Sequence, residues 1–123
     1  MSDKTERIAA LNDAFRRGLL IGLAGGEVTG KYHITSGLQH ALPADELLQV
    51  FQKVATFDHF TEDKDPHGEH DFGSLEHEGE NIFWKIDYYD RESLAAGEEY
   101  GSEDPSDPDK TTRVMTIMLA QDY

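Results

Sequence analysis

The groups able to do chemistry in this chain are carboxylates and imidazoles. There are twenty-five acidic residues, six histidines and no cysteine, so thiolate metal sites and disulfides are excluded. Asp58 to Asp109 holds eighteen of those acids and three bases (Lys64, Lys85 and Arg91), a formal charge of −15, while the other seventy-one residues carry +1. Inside that block, Asp63, Asp65, Gly68 and Asp71 fit positions 1, 3, 6 and 9 of a calcium loop. His67 stands at the fifth position and Ser74 at the twelfth, where oxygen ligands are needed, and both break the pattern. His67, His70 and Asp71, with His77, offer the nitrogen and oxygen donors that zinc uses. With a metal there, Glu69 or Asp87 would act as general base to a bound water, giving a metal-dependent hydrolase. An ordinary acidic turn explains the same residues without a metal. Ser36, Ser74 and Ser102 have no recognisable base beside them, and Gly25-Gly26 is too short for a dinucleotide loop. No catalytic residue and no cofactor is assigned; zinc or calcium is the alternative.

Concentrated charge acts through its field, and a field selects partners. Duplex DNA carries one charge per ~1.7 Å, so fifteen charges match ~25 Å of duplex. A globule of this length is about 30–35 Å across. One face could therefore reach nearly the charge density of DNA. This favours an acidic, non-enzymatic binding protein that mimics nucleic acid and inhibits a basic nucleic-acid-binding protein. A restriction or RNA-guided nuclease is the kind of target meant, which makes the role anti-restriction or anti-CRISPR. The residues expected to stand in for phosphates are Asp63, Asp65, Glu69, Glu76, Glu78 and Glu80, with Glu98, Glu99, Glu103 and Asp104 further on. Tyr88, Tyr89 and Tyr100 are the expected aromatic contacts. Direct binding of nucleic acid is disfavoured by repulsion. An acidic accessory protein is the plainest alternative.

These residues need elements to place them. Ile8, Leu11, Phe15 and Leu19 recur at helical spacing and predict an amphipathic helix over about 3–20, ended by Gly22, Gly25 and Gly26. Val28 to Ser36 reads as a strand. Pro43 is placed as the first helical residue. Leu47, Val50, Phe51 and Val54 then form one face of a helix ending near Thr56. Phe72 to Glu78 and Ile82 to Tyr89 predict a hairpin around Gly79, with Ile82, Trp84, Ile86 and Tyr88 facing the core. The opposite face, Phe83, Lys85, Asp87 and Tyr89, is either covered by the first helix or open for contact. Residues 91–110 read as an acidic loop in which Pro105 and Pro108 extend the backbone between Asp104, Asp107 and Asp109. Thr111 to Ala120 reads as a strand buried on both faces, with a helix as the alternative. The expected architecture is one α+β domain over 1–123, two helices on an antiparallel sheet of about four strands. The start is polar and the apolar run Leu19 to Ala24 is far too short to span a bilayer, so a soluble, cytoplasmic protein is expected.

Several segments carry a resemblance. They are Asp63 to Gly73 with its Gly-Glu-His-Asp-Phe-Gly core, Phe83 to Asp90 (Phe-Trp-Lys-Ile-Asp-Tyr-Tyr-Asp), Gly101 to Pro108, and Thr112 to Ala120; Arg7 to Asp13 fits as well. Together they resemble a family of small bacterial proteins of unknown function often carried on plasmids and mobile elements. The resemblance implies a shared fold and a mobile-element setting, and no activity or catalytic residues. The chain departs from it by a longer connection around Ser93 to Glu99, and the mobile-element setting points toward counter-defence.

Overall fold

The computed structural model describes residues 3–21 and 28–123. Helix α1 (Asp3–Arg17) runs into a short 3-10 turn (Gly18–Ile21). Its apolar stripe of Ile8, Leu11, Phe15 and Leu19 is buried. The glycines expected to end it, Gly22, Gly25 and Gly26, lie outside the described residues. Strand β1 (Thr29–Ile34) stops two residues before the predicted end. There Thr35 caps a helix that the sequence reading lacks, α2 (Ser36–Ala41): its hydroxyl oxygen accepts from the Leu38 amide and its O–H donates to Asp122. Helix α3 (Ala44–Ala55) buries Val50 and Val54 as expected. Pro43 is its cap and not its first residue, since its ψ of 166° keeps it extended while its carbonyl accepts from Glu46 and Leu47.

The hairpin is present as β2 (Phe72–His77) and β3 (Glu80–Asp90). Glu78 and Gly79 both have positive φ, 50° and 81°, the combination that a two-residue turn matching the strand twist requires. The 91–110 segment begins with a short helix, α4 (Arg91–Ala95), capped by Asp90, which accepts from the Ser93 amide and hydroxyl. Its proline-spaced acids do not extend. The backbone turns instead, with Asp107 donating to Asp104 and Lys110 to Asp107. Strand β4 (Thr111–Leu119) is a strand and not the alternative helix.

The fold is α+β; among the described residues there are four α-helices and a four-stranded sheet in the order β1-β4-β3-β2. β4 is an interior strand between β1 and β3 and is buried along most of its length. The sheet is mixed: β1 pairs with β4 in parallel and the other two pairings are antiparallel, where a wholly antiparallel sheet was expected. Ile82, Trp84, Ile86, Met115, Ile117 and Leu119 point to the helices and form the core with Phe15, Leu38, Val50 and Val54. Gly73 lies under Trp84, and a Cβ there would come within 2.4 Å of the indole nitrogen, so only glycine lets the ring sit flat on β2. The opposite sheet face carries Phe83, Lys85, Asp87 and Tyr89. Helix α1 does not cover it. Phe83 meets Phe72 and Tyr123 edge-on, and all four residues keep intermediate exposure. Among the described residues no helix is long and apolar enough to cross a membrane.

Candidate functional site

The acidic segment builds the β2 edge of the sheet, the whole of β3 and the loops at both ends. β3 has eleven residues and so spans about 36 Å. Glu76, Glu78 and Glu80 sit at its hairpin end; Glu98, Glu99, Glu103 and Asp104 sit beyond the other. The 58–71 segment lies alongside that second end, because the Asp71 carbonyl accepts from the Ile86 amide. The far edge of the sheet, β1, carries Lys31 and His33, so charge is uneven across the sheet.

The sequence-predicted contacts divide into two kinds. Asp63, Glu76, Glu78, Glu98, Glu99, Glu103 and Tyr100 are exposed. Asp65 is buried, and Glu69, Glu80, Asp104, Tyr88 and Tyr89 are partly so. Asp104 accepts from the Ser106 amide and hydroxyl, which holds its carboxyl below the usual carboxylate range, and Lys4 lies 3.8 Å away. Its neighbour segment is tied back to the sheet, with Asp90 donating to Tyr100 and Ser102 to Tyr88. The loop is therefore anchored at its middle while Glu98, Glu99 and Glu103 project.

Two arginines inside the domain do the anchoring. Arg113 is in phase with Met115, Ile117 and Leu119 and fully buried. Its Nε donates to Asn12 Oδ1 at 2.6 Å and one terminal nitrogen donates to the Pro105 carbonyl at 2.6 Å, pinning the acidic loop. Its guanidinium lies 5.2 Å from the Tyr88 ring centre, a cation–π contact. Asn12 donates to the Glu69 carbonyl and to the Tyr88 hydroxyl, and that hydroxyl donates to the Glu69 carboxylate, each at 2.8–2.9 Å. Burial pushes the Tyr88 hydroxyl far up and the Arg113 guanidinium down from their ordinary values.

Arg16, 2 % exposed, holds the other acidic loop. It donates to Asp13 at 3.0 Å and to the Phe57 carbonyl at 2.8 Å, and sits over the Phe60 and Trp84 rings. Asp13 also meets His70 Nδ1 at 3.0 Å. The His70 ring stacks on Phe60 with centroids 3.9 Å apart, and its backbone, at φ 57°, donates to the buried Asp65 carboxylate. Asn12, Asp13, Arg16 and Arg113 were missed by sequence reasoning. A signal existed for two of them: Asn12 falls on the apolar stripe of α1, and Arg113 falls on the core phase of β4.

Asp71 sits beside this network. Burial raises its carboxyl above the ordinary 3.8, and the charges of Glu69 and Asp65 add to the rise. An acid whose folded pKa is raised contributes stability in full below its unfolded pKa and loses it as pH climbs through the folded value. Asp71→Asn should therefore melt higher than the wild type at pH 7, and the gap should close as pH falls toward 3.8. Paired thermal melts across that range check it; equal melting at neutral pH would contradict it.

His67, His70 and Asp71 do not come together as metal ligands. Among the described residues, the one trio whose ligand atoms all lie within 4.8 Å is Glu46, His77 and Glu78. His70 turns to Asp13 and Asp65 instead. Asp65 of the calcium-like pattern is likewise committed to the His70 amide.

Residues 34–122 match the family model described as a protein of unknown function, DUF3768; this is well over half of the chain, and the protein belongs to that family. The matched span contains Glu69, His70, Tyr88 and Arg113, while Asn12, Asp13 and Arg16 precede it. No curated protein and no solved structure matches the chain.

Proposed function

We propose that this is an acidic, non-enzymatic binding protein that presents a row of carboxylates to a basic, nucleic-acid-binding partner and competes there with nucleic acid. The observation that carries the reading is the placement of exposed Asp63, Glu76, Glu78, Glu98, Glu99 and Glu103 along the β2–β3 half of the fold, while Arg16 and Arg113 are inside it. Two of the eleven Lys/Arg residues thus add nothing to the outer surface except through their field. The segment's charge of −15 equals that of ~25 Å of duplex DNA at one charge per ~1.7 Å, and β3, which runs through the segment, is itself about 36 Å long. The partner class this suits is a nuclease with a Lys/Arg groove, of the restriction or RNA-guided kind, in a counter-defence role on a mobile element.

The test is direct binding. The fluorescently labelled protein, titrated with a panel of basic nucleases, should bind at least one at 50 mM salt, be displaced by unlabelled duplex, and bind ~10-fold or more weakly at 200 mM. The free protein should show the opposite trend, melting higher in added salt as carboxylate repulsion is screened. Binding to none of the panel, or binding indifferent to both salt and competitor duplex, would sink the reading. The metal-dependent hydrolase has less support, since Glu69, one of its two candidate general bases with Asp87, accepts from Tyr88, and His67, His70 and Asp71 are not a trio whose ligand atoms lie within 4.8 Å of one another.

A further inference from the structure

At the hairpin end of the sheet, away from the arginine network, three side chains from three local elements face one point. Glu46 comes from the first turn of α3, His77 is the last residue of β2, and Glu78 is the first turn residue. One ligand atom from each lies within 4.8 Å of the other two. We infer that Glu46, His77 and Glu78 form a binding site for a divalent transition metal of the zinc class.

The His77 ring, more than the two carboxylates, marks the point as a ligand site. Its side chain is 2 % exposed, yet its Nε2 makes no hydrogen bond. That nitrogen points toward Glu46 Oε1, 3.5 Å away, too long for a good hydrogen bond. A buried polar atom without a partner is costly unless something else satisfies it. The spacing is instead that of two ligands on one ion: zinc with nitrogen and oxygen ligands at about 2.0–2.2 Å in tetrahedral geometry separates them by about 3.4 Å. Glu46 is half-buried and Glu78 exposed, so both can close the remaining distance by rotation. Two carboxylates and a neutral imidazole balance a divalent charge and leave a fourth position for water.

Lys53 sets the state without metal. Its ammonium lies 3.0 Å from His77 Nδ1 and 3.3 Å from the Glu76 carbonyl. Donation to Nδ1 places the imidazole proton on Nε2, facing Glu46. Binding a metal needs the Nε2 lone pair, so the single proton of the neutral ring relocates to Nδ1 and Lys53 shifts to the Glu76 carbonyl already within reach. Lys53 is thus a competitor of the ion, and removing its charge should help binding.

The experiment uses the full chain, stripped with chelator and titrated with zinc against a chromophoric chelator. One zinc per chain is expected. Glu46→Gln and Glu78→Gln should each weaken binding about 10-fold or more, and Lys53→Met should tighten it. Both Gln variants alter side chains outside the core, and their melting curves without metal show whether they fold. A His67→Gln, His70→Gln double variant should bind as the wild type does. Calcium, which prefers six or more oxygens, should not compete at equal concentration. Failure to bind stoichiometrically, zinc binding unchanged in both Gln variants, or loss of binding only in the His67/His70 variant would each overturn the assignment. None of these outcomes bears on nuclease binding, so the two proposals fail separately.

Discussion

Arg113→Met should lower the stability of the domain by about 3 kcal/mol, or about 10 °C in melting temperature for a chain of this size. The substitution nearly preserves volume, so the loss comes from polar groups. Asn12 Oδ1 and the Pro105 carbonyl would each lose a donor at 2.6 Å, at about 1–3 kcal/mol apiece when buried. Glu69 would lose the buried cation nearest its network. Against this, one terminal nitrogen of Arg113 has no partner already, and methionine removes that cost along with the desolvation of the guanidinium. The balance stays unfavourable because the orphaned acceptors outnumber the relieved donor. Urea or thermal unfolding beside a Lys4→Met control, which touches only a surface pair and should shift stability by less than about 0.5 kcal/mol, checks the value. An Arg113→Met protein as stable as its parent would mean that the interior arginine does not hold the acidic loop.

The second large effect belongs to binding. Reversing Glu98, Glu99 and Glu103 together to lysine should weaken association with a basic nuclease by about 100-fold or more at 50 mM salt, since each attraction becomes a repulsion across the interface. These three side chains are exposed on a loop whose anchors, Tyr100, Ser102 and Pro105, bind through backbone or hydroxyl groups that the change leaves alone. The free triple variant should therefore remain folded, and melt higher than its parent at low salt because like charges are removed from the block. Fluorescence titration of folded variant and parent with the same nuclease decides it. Equal affinities would show that the acidic block keeps the protein soluble and does not recognise a partner. Reversal of Asp65 or Glu69 is not an equivalent test, because those carboxylates hold His70 and Tyr88 and their loss would disturb the fold.

Local pattern was sufficient for α1, α3, the hairpin and β4, because each declares itself within a dozen residues: an apolar stripe at helical spacing, alternation on both sides of a Gly turn, a β-branched run. It also located the charge, which is a matter of composition. It missed α2, whose start depends on Thr35 turning its side chain back onto the backbone. It also misjudged the loop at 91–110, where turns closed by Asp107 on Asp104 and by Lys110 on Asp107, with Arg113 on the Pro105 carbonyl, override the extension that two prolines favour. The parallel β1–β4 pairing was beyond it as well, since the seventy-odd residues between them could return the chain to either side.

What only the tertiary structure decided is the company each polar side chain keeps. Asn12 and Arg113 are 101 residues apart and share a bond of 2.6 Å; Asp13 and His70 are 57 apart. Such pairs exist only once the helix lies on the sheet, because a side chain's partner is set by where distant backbone passes and not by its neighbours in the chain. For the same reason three histidine and aspartate positions adjacent in sequence failed to converge, while Glu46 found His77 across the end of the sheet. Charge sums along a chain and can be counted from it; a site requires coincidence in space, which folding alone supplies.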